Sequence, residues 1–184
     1  MTRIKMSKSV IILLCAVLIC AVTVGTTLAF IFAKAPPAVN EFEPVYVSCS
    51  VEEGFVNNVK SNVRVRNTGD ISAYIRACVV ICWVSETDGS INGASPVKDR
   101  DYLITYSDSW TQGSDGFYYF TSPVAAGDAT DILIYDARPA EDADIPEGYK
   151  LSVQIVASAI QAQPAEAVSS AWGATISNGQ LIPA

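Results

Sequence analysis

The chain has 184 residues, with 12 basic and 19 acidic side chains. An acidic chain repels nucleic-acid phosphates and anionic lipid head groups, so we expect no nucleic-acid partner. The sequence contains no histidine, which excludes Ser-His-Asp and Cys-His nucleophile pairs and every histidine-ligated metal site. We therefore expect a protein that is not an enzyme and that uses no cofactor.

The N-terminal segment has the features of an export signal or a membrane anchor. Residues 1–9 carry three basic side chains and no acid, and residues 10–33 carry no charge. A basic start, an apolar stretch and a small-residue exit are typical of a secretory signal peptide. The stretch is also long enough, at roughly 20 residues, to span a bilayer if it is not cut. In that case residues 10–33 would be the membrane contact.

Small side chains before position 30 predict cleavage between Ala29 and Phe30. The chain then divides into a signal peptide or anchor at 1–29, an extended connector at 30–44 and a folded domain at 45–184. The basic start stays on the cytoplasmic side whether or not the segment is cut. We therefore expect the folded domain outside the cell, either secreted or displayed on the cell surface.

The folded domain is predicted to be all-β. Pro36, Pro37 and Pro44 favour an extended connector before it. Runs of β-branched and aromatic residues between turn signals predict seven or eight strands, at 45–51, 59–66, 71–84, 102–106, 110–112, 117–120, 132–135 and 149–160. One short helix is predicted at 164–172, because Pro164 suits a first helical turn. The pattern predicts an antiparallel β-sandwich of jelly-roll or immunoglobulin-like type, preceded by the N-terminal apolar helix.

Cys49, Cys78 and Cys82 are the cysteines of the predicted domain. Their odd number leaves at least one thiol that is free or that pairs between chains. Cys78 and Cys82 share one predicted strand and lie about 13 Å apart along it, which is too far for a disulfide. Either Cys49 pairs with one of them across strands, or all three are small buried hydrophobic side chains.

Two features have the outward form of a catalytic or metal site. Ser95-Pro96-Val97-Lys98 matches a Ser–Lys motif, but that motif requires both residues on one helix turn, and Pro96 opposes a helix here. Acidic residues are dense between positions 128 and 147, where loops could supply oxygens to calcium. No EF-hand spacing is present, so we interpret this region as solvated loops, with weak calcium candidates at Asp128, Asp131 and Asp136.

Aromatic residues cluster around the hairpin predicted near Gly113–Gly116. Exposed rings can stack on sugars or on a partner surface, which makes Trp110, Phe117 and Tyr119 candidates for such a surface. Alternate residues of a hairpin point to opposite faces, so packing in the core is the alternative for the same rings.

Three further residues attract attention for structural reasons. Arg76 is the lone charge in the longest predicted strand, so we expect it to pair with a carboxylate or with turn carbonyls. Asn67 and Gly69 belong to a predicted turn, and glycine there is free to adopt a positive φ. We nominate no catalytic residue.

Several segments resemble a known protein family. Val24-Gly25-Thr26-Thr27-Leu28-Ala29-Phe30 resembles the signal region of proteins that are cut by SipW-type signal peptidases. The segments at 63–70, 73–77, 113–119, 123–127 and 159–162, together with Trp83, resemble the domain of the TasA/camelysin-like family. The resemblance spans most of the chain.

This resemblance implies a secreted β-sandwich of Gram-positive bacteria, some of whose relatives polymerise into biofilm-matrix fibres. In such fibres an N-terminal strand of one subunit completes the sheet of the next, so that main-chain hydrogen bonds supply the affinity. The candidate donor here is the segment 30–43, in particular Phe30, Phe32, Val39 and Phe42. Pro36 and Pro37 depart from the pattern, because proline cannot donate to a β-ladder.

The combined expectation is a secreted, non-enzymatic structural protein that associates with itself and is cut by a signal peptidase. An alternative is a binding domain that an uncut anchor displays on the cell surface. Camelysin-like members of the family are described as metallopeptidases, but the absence of histidine argues against that activity in this chain.

Overall fold

The computed structural model describes residues 45–184 together with four isolated helical positions, Ser9, Ile12, Leu13 and Val17. In this described part of the chain no helix is long and apolar enough to cross a membrane. The predicted cleavage site and donor residues lie outside the described residues, namely Ala29, Phe30, Phe32, Val39 and Phe42.

Ten strands and one helix make up residues 45–184. The strands are β1 (Cys49–Val56), β2 (Val59–Asn67), β3 (Ala73–Ser85), β4 (Tyr102–Tyr106), β5 (Trp110–Gln112), β6 (Tyr118–Val124), β7 (Ile134–Pro139), β8 (Tyr149–Gln161), β9 (Thr175–Ser177) and β10 (Gln180–Ile182). The helix α1 (Ala165–Trp172) lies between β8 and β9.

Eight of these strands form two antiparallel sheets. Sheet A has the order β1-β2-β7-β4, and sheet B has the order β5-β6-β3-β8. The strands β9 and β10 form a separate hairpin. The chain changes sheet at every connection from β2 to β5 and again from β6 to β8. The prediction of an antiparallel β-protein with a short helix near the C-terminus is confirmed.

One hydrophobic core receives side chains from both sheets. Val63, Val65 and Ile134 come from sheet A, and Ile75 and Ala77 come from sheet B; all five are buried. Alternate residues along a strand point to opposite faces, so these positions define the inner face of each sheet. Each fully buried aliphatic side chain of valine or isoleucine size contributes roughly 1.5–3 kcal/mol to folding.

A second core lies on the outer face of sheet B. Tyr74 and Tyr119 of the sheet pack there with Val168 of α1 and with Ala174 and Leu181 of the C-terminal hairpin region. The residues after β8 therefore cover one part of the outer face. At the beginning of β3, Ile75 thus enters the first core and its neighbour Tyr74 enters the second.

The first hairpin is longer than the sequence indicates. The first strand is predicted to end at residue 51, but β1 continues to Val56, and the turn consists only of Asn57 and Asn58, whose φ values are 52° and 63°. Positive φ at both central residues is typical of tight hairpin turns, in which asparagine is favoured. Within the extended part of β1, Glu52 pairs with Arg64 across the ladder at 2.8 Å.

The beginning of the domain is bonded to the turn that follows β2. The N–H of Thr68 donates to the Ser48 carbonyl at 3.0 Å, and the N–H of Asp70 donates to the Tyr46 carbonyl at 2.9 Å. A Cβ at Gly69 would lie 2.5 Å from the Tyr46 oxygen. Gly69 is not among the glycines with positive φ, so close backbone approach, and not φ, requires glycine here.

Candidate functional site

The strand β8 forms one edge of sheet B and is 13 residues long. It pairs with β3 along its whole length, from Tyr149 opposite Ser85 to Gln161 opposite Ala73. Within residues 45–184 no strand pairs with the other edge of β8. Such an edge presents a row of main-chain donors and acceptors to which a further strand can bind.

A groove runs beside the first half of this edge. The strand β1 is the edge of sheet A and contacts β8, so the two sheet edges lie on the same side of the domain. Where the β1–β2 hairpin and β8 separate, they leave a groove of about 680 Å³. Its lining combines polar and charged side chains with the apolar and aromatic residues Phe55, Val84, Ile145, Tyr149, Leu151 and Val153.

One ion pair lies in this groove. Lys60 stands opposite the buried Ala137, so its side chain is directed between the sheets. The Lys60 ammonium is 2.6 Å from the carboxylate of Glu53, and both residues line the groove. Glu86 and Lys150 also line the groove, so a segment that binds there would meet further charged side chains besides this ion pair.

A smaller cavity of about 350 Å³ lies at the opposite end of β8. Its lining includes Ile71, Gln161 and Ala162, and also Val45, the first residue of the described domain. The domain therefore begins beside the C-terminal end of the same edge strand.

Two of the three aromatic candidates are in the interior. Trp110 is buried, packs on Phe120 with ring centroids 5.5 Å apart, and donates its indole N–H to the Asp131 carbonyl at 3.1 Å. Tyr119 is buried in the second core. The prediction that these two rings form a partner surface is wrong, because both rings are enclosed. Phe117 is half-buried and packs against the same core.

Arg76 occupies the space between two aromatic rings. Its guanidinium carbon is 4.2 Å from the Phe117 ring centroid and 4.6 Å from the Trp172 ring centroid. The guanidinium also donates to the Tyr119 hydroxyl at 3.2 Å and to the Ser158 hydroxyl at 3.3 Å. These contacts connect β3, β6, β8 and α1, so Arg76 has a structural role.

Asp115 completes the arginine cluster. Its carboxylate accepts a hydrogen bond from the Tyr119 hydroxyl at 2.7 Å and lies 3.6 Å from the Arg76 guanidinium. The hydrogen bond from Tyr119 lowers the pKa of Asp115, whereas burial is the main cause that raises the pKa of Tyr119. The expectation that Arg76 pairs with a carboxylate is thus met, although the rings contribute as well.

The calcium candidates do not converge. No group of three or more acidic or cysteine side chains within residues 45–184 is arranged to hold a metal ion. Asp136 instead accepts a hydrogen bond from Arg138 at 3.1 Å, and Asp128 and Asp131 are exposed. The carbonyl oxygens of Asp128 and Asp131 accept hydrogen bonds from Asn67 N–H and the Trp110 indole.

The formal Ser–Lys motif lies in a loop. The residues from Ser95 to Val97 have no helical structure, and Lys98 forms an isolated bridge with Tyr102. The geometry that the motif requires, with both side chains on one helix turn, is therefore missing.

The three cysteines of the domain are free thiols, one on the inner face of sheet A and two on the outer face of sheet B. Cys49 packs against the shared core from sheet A, whereas Cys78 and Cys82 lie on β3 at positions that alternate with core residues. The hypothesis that Cys49 pairs with one of the other two is wrong, because its side chain points into the core and theirs point away from it.

Asn67 was predicted as a turn former, and the structure gives it a larger role. It is fully buried at the end of β2. Its side-chain amide donates to the carbonyls of Ile71 and Val124 at 2.7 and 2.9 Å, and its side-chain oxygen accepts from Gly69 N–H at 3.0 Å. A composition-based turn signal does not reveal such burial.

Comparisons with known proteins give no match. No protein-family model, curated protein or solved structure is similar to this chain. The resemblance to the TasA/camelysin-like family therefore remains a prediction from the sequence.

Proposed function

We propose that this chain is a secreted, non-enzymatic structural protein whose copies associate by strand addition, as subunits of an extracellular fibre. The observation that carries the proposal is the free edge of β8 with the groove beside it. The added strand would be the connector at 30–44 of a neighbouring copy, freed by cleavage near Ala29. Main-chain hydrogen bonds to the edge would supply the affinity, and the groove would select side chains.

The direction of the strands favours addition between copies. Each strand pair within the described domain is antiparallel. The chain enters the domain at Val45, beside the Gln161 end of β8. A connector that lay along its own β8 would have to run from the Tyr149 end to that point, parallel to β8. A neighbour's connector is free to pair in the antiparallel direction.

The connector has chemistry suited to this edge. The segment 30–44 exceeds β8 in length, and its apolar residues Phe30, Phe32, Val39 and Phe42 could pack on the apolar residues that line part of the groove. Pro36 and Pro37 interrupt the donors near its middle, so we expect ladder pairing mainly on either side of them.

The strand order supports a jelly-roll sandwich over an immunoglobulin-like one. Two four-stranded sheets contribute to a common core, and successive strands alternate between the sheets from β2 to β5. Alternation of this kind is typical of a double-sheet jelly roll, which manages its sheet edges by covering them. In this proposal the edge of β8 is covered by the next copy.

The proposal is tested by blocking the groove without disturbing the fold. Phe55 lines the groove and is 64% exposed, whereas its neighbour Val56 is 69% exposed and is not part of the lining. We expect Phe55→Asp to abolish fibres in electron micrographs and high-mass species in size exclusion. The matched control Val56→Asp should assemble like the unchanged protein.

Two outcomes would contradict strand addition. Protein whose N-terminus is shown by sequencing to be Phe30, yet which stays monomeric under all conditions, would exclude assembly. A cell-associated protein that begins at Met1 would instead favour an anchored display domain. Casein cleavage that a chelator abolishes would overturn the non-enzymatic assignment.

A further inference from the structure

The outer face of sheet B has a second region, beyond the part that α1 and the C-terminal hairpin cover. On β3 this region contains Cys78, Val80 and Cys82, which alternate with the core residues Val79 and Ile81. Val80 is 40% exposed, and both thiols are partly exposed. We call this region the thiol face.

The neighbouring strand β8 extends the same surface. Val156 stands opposite Cys78, Gln154 opposite Val80, and Ser152 opposite Cys82. Val156 is 57% exposed, and the side chains of Ser152 and Gln154 are hydrogen-bonded to each other. The thiol face thus combines two exposed valines, two thiols and two neutral polar side chains.

The two thiols have no partner within the described domain. They are separated along one extended strand by about 13 Å, beyond the reach of a disulfide. Cys49 is directed into the core from the other sheet. A disulfide from Cys78 or Cys82 therefore cannot be made with another cysteine of the described domain.

The charge distribution favours a second copy as that molecule. The chain has an excess of acidic residues, so most surfaces of two copies repel each other. Between Arg76 and Lys150, however, the outward positions of β3 and β8 carry no charge. This is a surface on which two acidic copies can approach closely.

The order of the side chains is also self-complementary. Cys78 and Cys82 lie two residues before and two residues after Val80 on the same face of a continuous strand. Consider a two-fold axis that lies between two facing sheets, perpendicular to β3 and level with Val80. It places Cys78 of one copy over Cys82 of the other, and Cys82 of the first copy over Cys78 of the second. An isologous interface has this property, because each contact occurs twice.

We propose that the thiol faces of two copies pack against each other about this axis and become linked by Cys78–Cys82 disulfides. Each disulfide forms in two exchanges: one protein thiolate attacks a low-molecular-weight disulfide such as oxidised glutathione and releases one small thiolate, and the second protein thiolate then attacks the protein sulfur of the mixed disulfide and releases the other. Two protein thiols are oxidised and lose two protons, and one small disulfide is reduced to two thiols. Formation of the disulfides requires an oxidising environment and therefore rests on the export proposed above. Packing of the two thiol faces does not depend on export.

Close approach is required for these bonds. Packed sheets usually lie about 10 Å apart, but a disulfide needs Cα atoms within about 7 Å. The side chains around the two thiols are small or medium in size, with Ser152 beside Cys82 and Val156 beside Cys78. They permit the two sheets to come nearer than large side chains would.

Mixing two variants tests the geometry. The full chain is purified in mild detergent under reducing conditions and then equilibrated with oxidised and reduced glutathione. The Cys78→Ser variant alone should form no Cys82–Cys82 dimer. The Cys82→Ser variant alone should form no Cys78–Cys78 dimer. A one-to-one mixture should form dimers, and mass spectrometry should find Cys78 joined to Cys82, which in the mixture can only link different copies.

A substitution outside the cysteines tests the packing. In the same mixture Val80→Asp should lower the yield of linked dimer at least tenfold. The control is Val97→Asp, which has a similar exposure of 46% but lies in the loop before β4; it should leave the yield unchanged. A mixture that forms no Cys78–Cys82 link, or single variants that form Cys82–Cys82 or Cys78–Cys78 links as readily as the mixture forms Cys78–Cys82 links, would overturn the proposal.

The readout is independent of strand addition. Phe55→Asp blocks the groove but leaves the thiol face intact, so it should retain the linked dimer. Loss of fibres with retention of the dimer would support both interfaces. Retention of fibres in Phe55→Asp would contradict strand addition alone, and absence of the link would contradict the thiol interface alone.

Discussion

Arg76 shows how one side chain can connect distant parts of a small β-domain. The sequence indicates a paired arginine, since a lone charge in an apolar strand requires a partner. It does not indicate that Phe117 and Trp172 enclose the guanidinium, because those rings approach it only after β6 and α1 have packed on β3. Partners of this kind depend on tertiary structure and leave no local signal.

Replacing Arg76 by methionine should lower the free energy of unfolding by about 2 kcal/mol or more. The change keeps most of the apolar volume but removes the two cation–π contacts and leaves the Tyr119 and Ser158 hydroxyls with fewer partners. Urea unfolding followed by tryptophan fluorescence measures the effect.

The control for this prediction is Arg138→Met. Arg138 is exposed and pairs with Asp136 at 3.1 Å, so its removal should cost less than about 0.5 kcal/mol. Equal losses in the two variants would show that the arginine cluster adds no stability beyond that of a surface ion pair.

At the scale of elements, strong β-propensity predicted the long strands well. The prediction of 149–160 agrees closely with β8, and that of 71–84 with β3, because both segments are rich in valine, isoleucine and tyrosine. The β9–β10 hairpin was missed, although Asn178-Gly179 between two short apolar segments is a hairpin signal. Strands of three residues are too short for periodicity to reveal.

The C-terminal hairpin should contribute strongly to stability through one residue. Leu181 is buried in the second core, and its neighbour Ile182 is 50% exposed on the same short strand. We expect Leu181→Ala to lower the free energy of unfolding by about 2–5 kcal/mol, since it leaves a cavity. Ile182→Ala should cost much less, and similar losses at both positions would contradict the packing described. Denaturant titration of both variants gives the comparison.

At the scale of the whole molecule, the candidate site could not be predicted from sequence. The edge position of β8 depends on the order of strands in sheet B, which is determined by pairings between residues far apart in the chain. Nothing in the composition of residues 149–161 distinguishes an edge from a centre. The sequence likewise does not show to which face of its sheet each cysteine side chain points, because that depends on the strand register.

The stability of this acidic chain should fall at low pH, and Asp101 should contribute to the fall. Asp101 is buried, and hydrogen bonds from Arg100 and from Val97 N–H hold its pKa at about 2, below the usual 3.8. Because the pKa of Asp101 is lower in the folded protein than in the unfolded chain, the ionised carboxylate stabilises the fold when the pH is above the unfolded pKa. This contribution to stability is lost as the pH falls from about 4 towards 2.

The measurement is the urea midpoint between pH 5 and pH 2. The unchanged protein should lose stability more steeply across this window than Asp101→Asn, which has no carboxylate to protonate at that position. Parallel curves for the two proteins would show that Asp101 does not contribute to acid unfolding.

The contact at Gly69 has a mechanical consequence. Tension applied to the chain before Val45 reaches the domain first at Tyr46 and Ser48, where two main-chain hydrogen bonds attach it to the turn around Gly69. The β1–β2 ladder is loaded only after these bonds break, since it begins at Cys49. If such subunits were linked end to end and pulled, these two hydrogen bonds would therefore have to break before the force reached the β1–β2 ladder of each subunit.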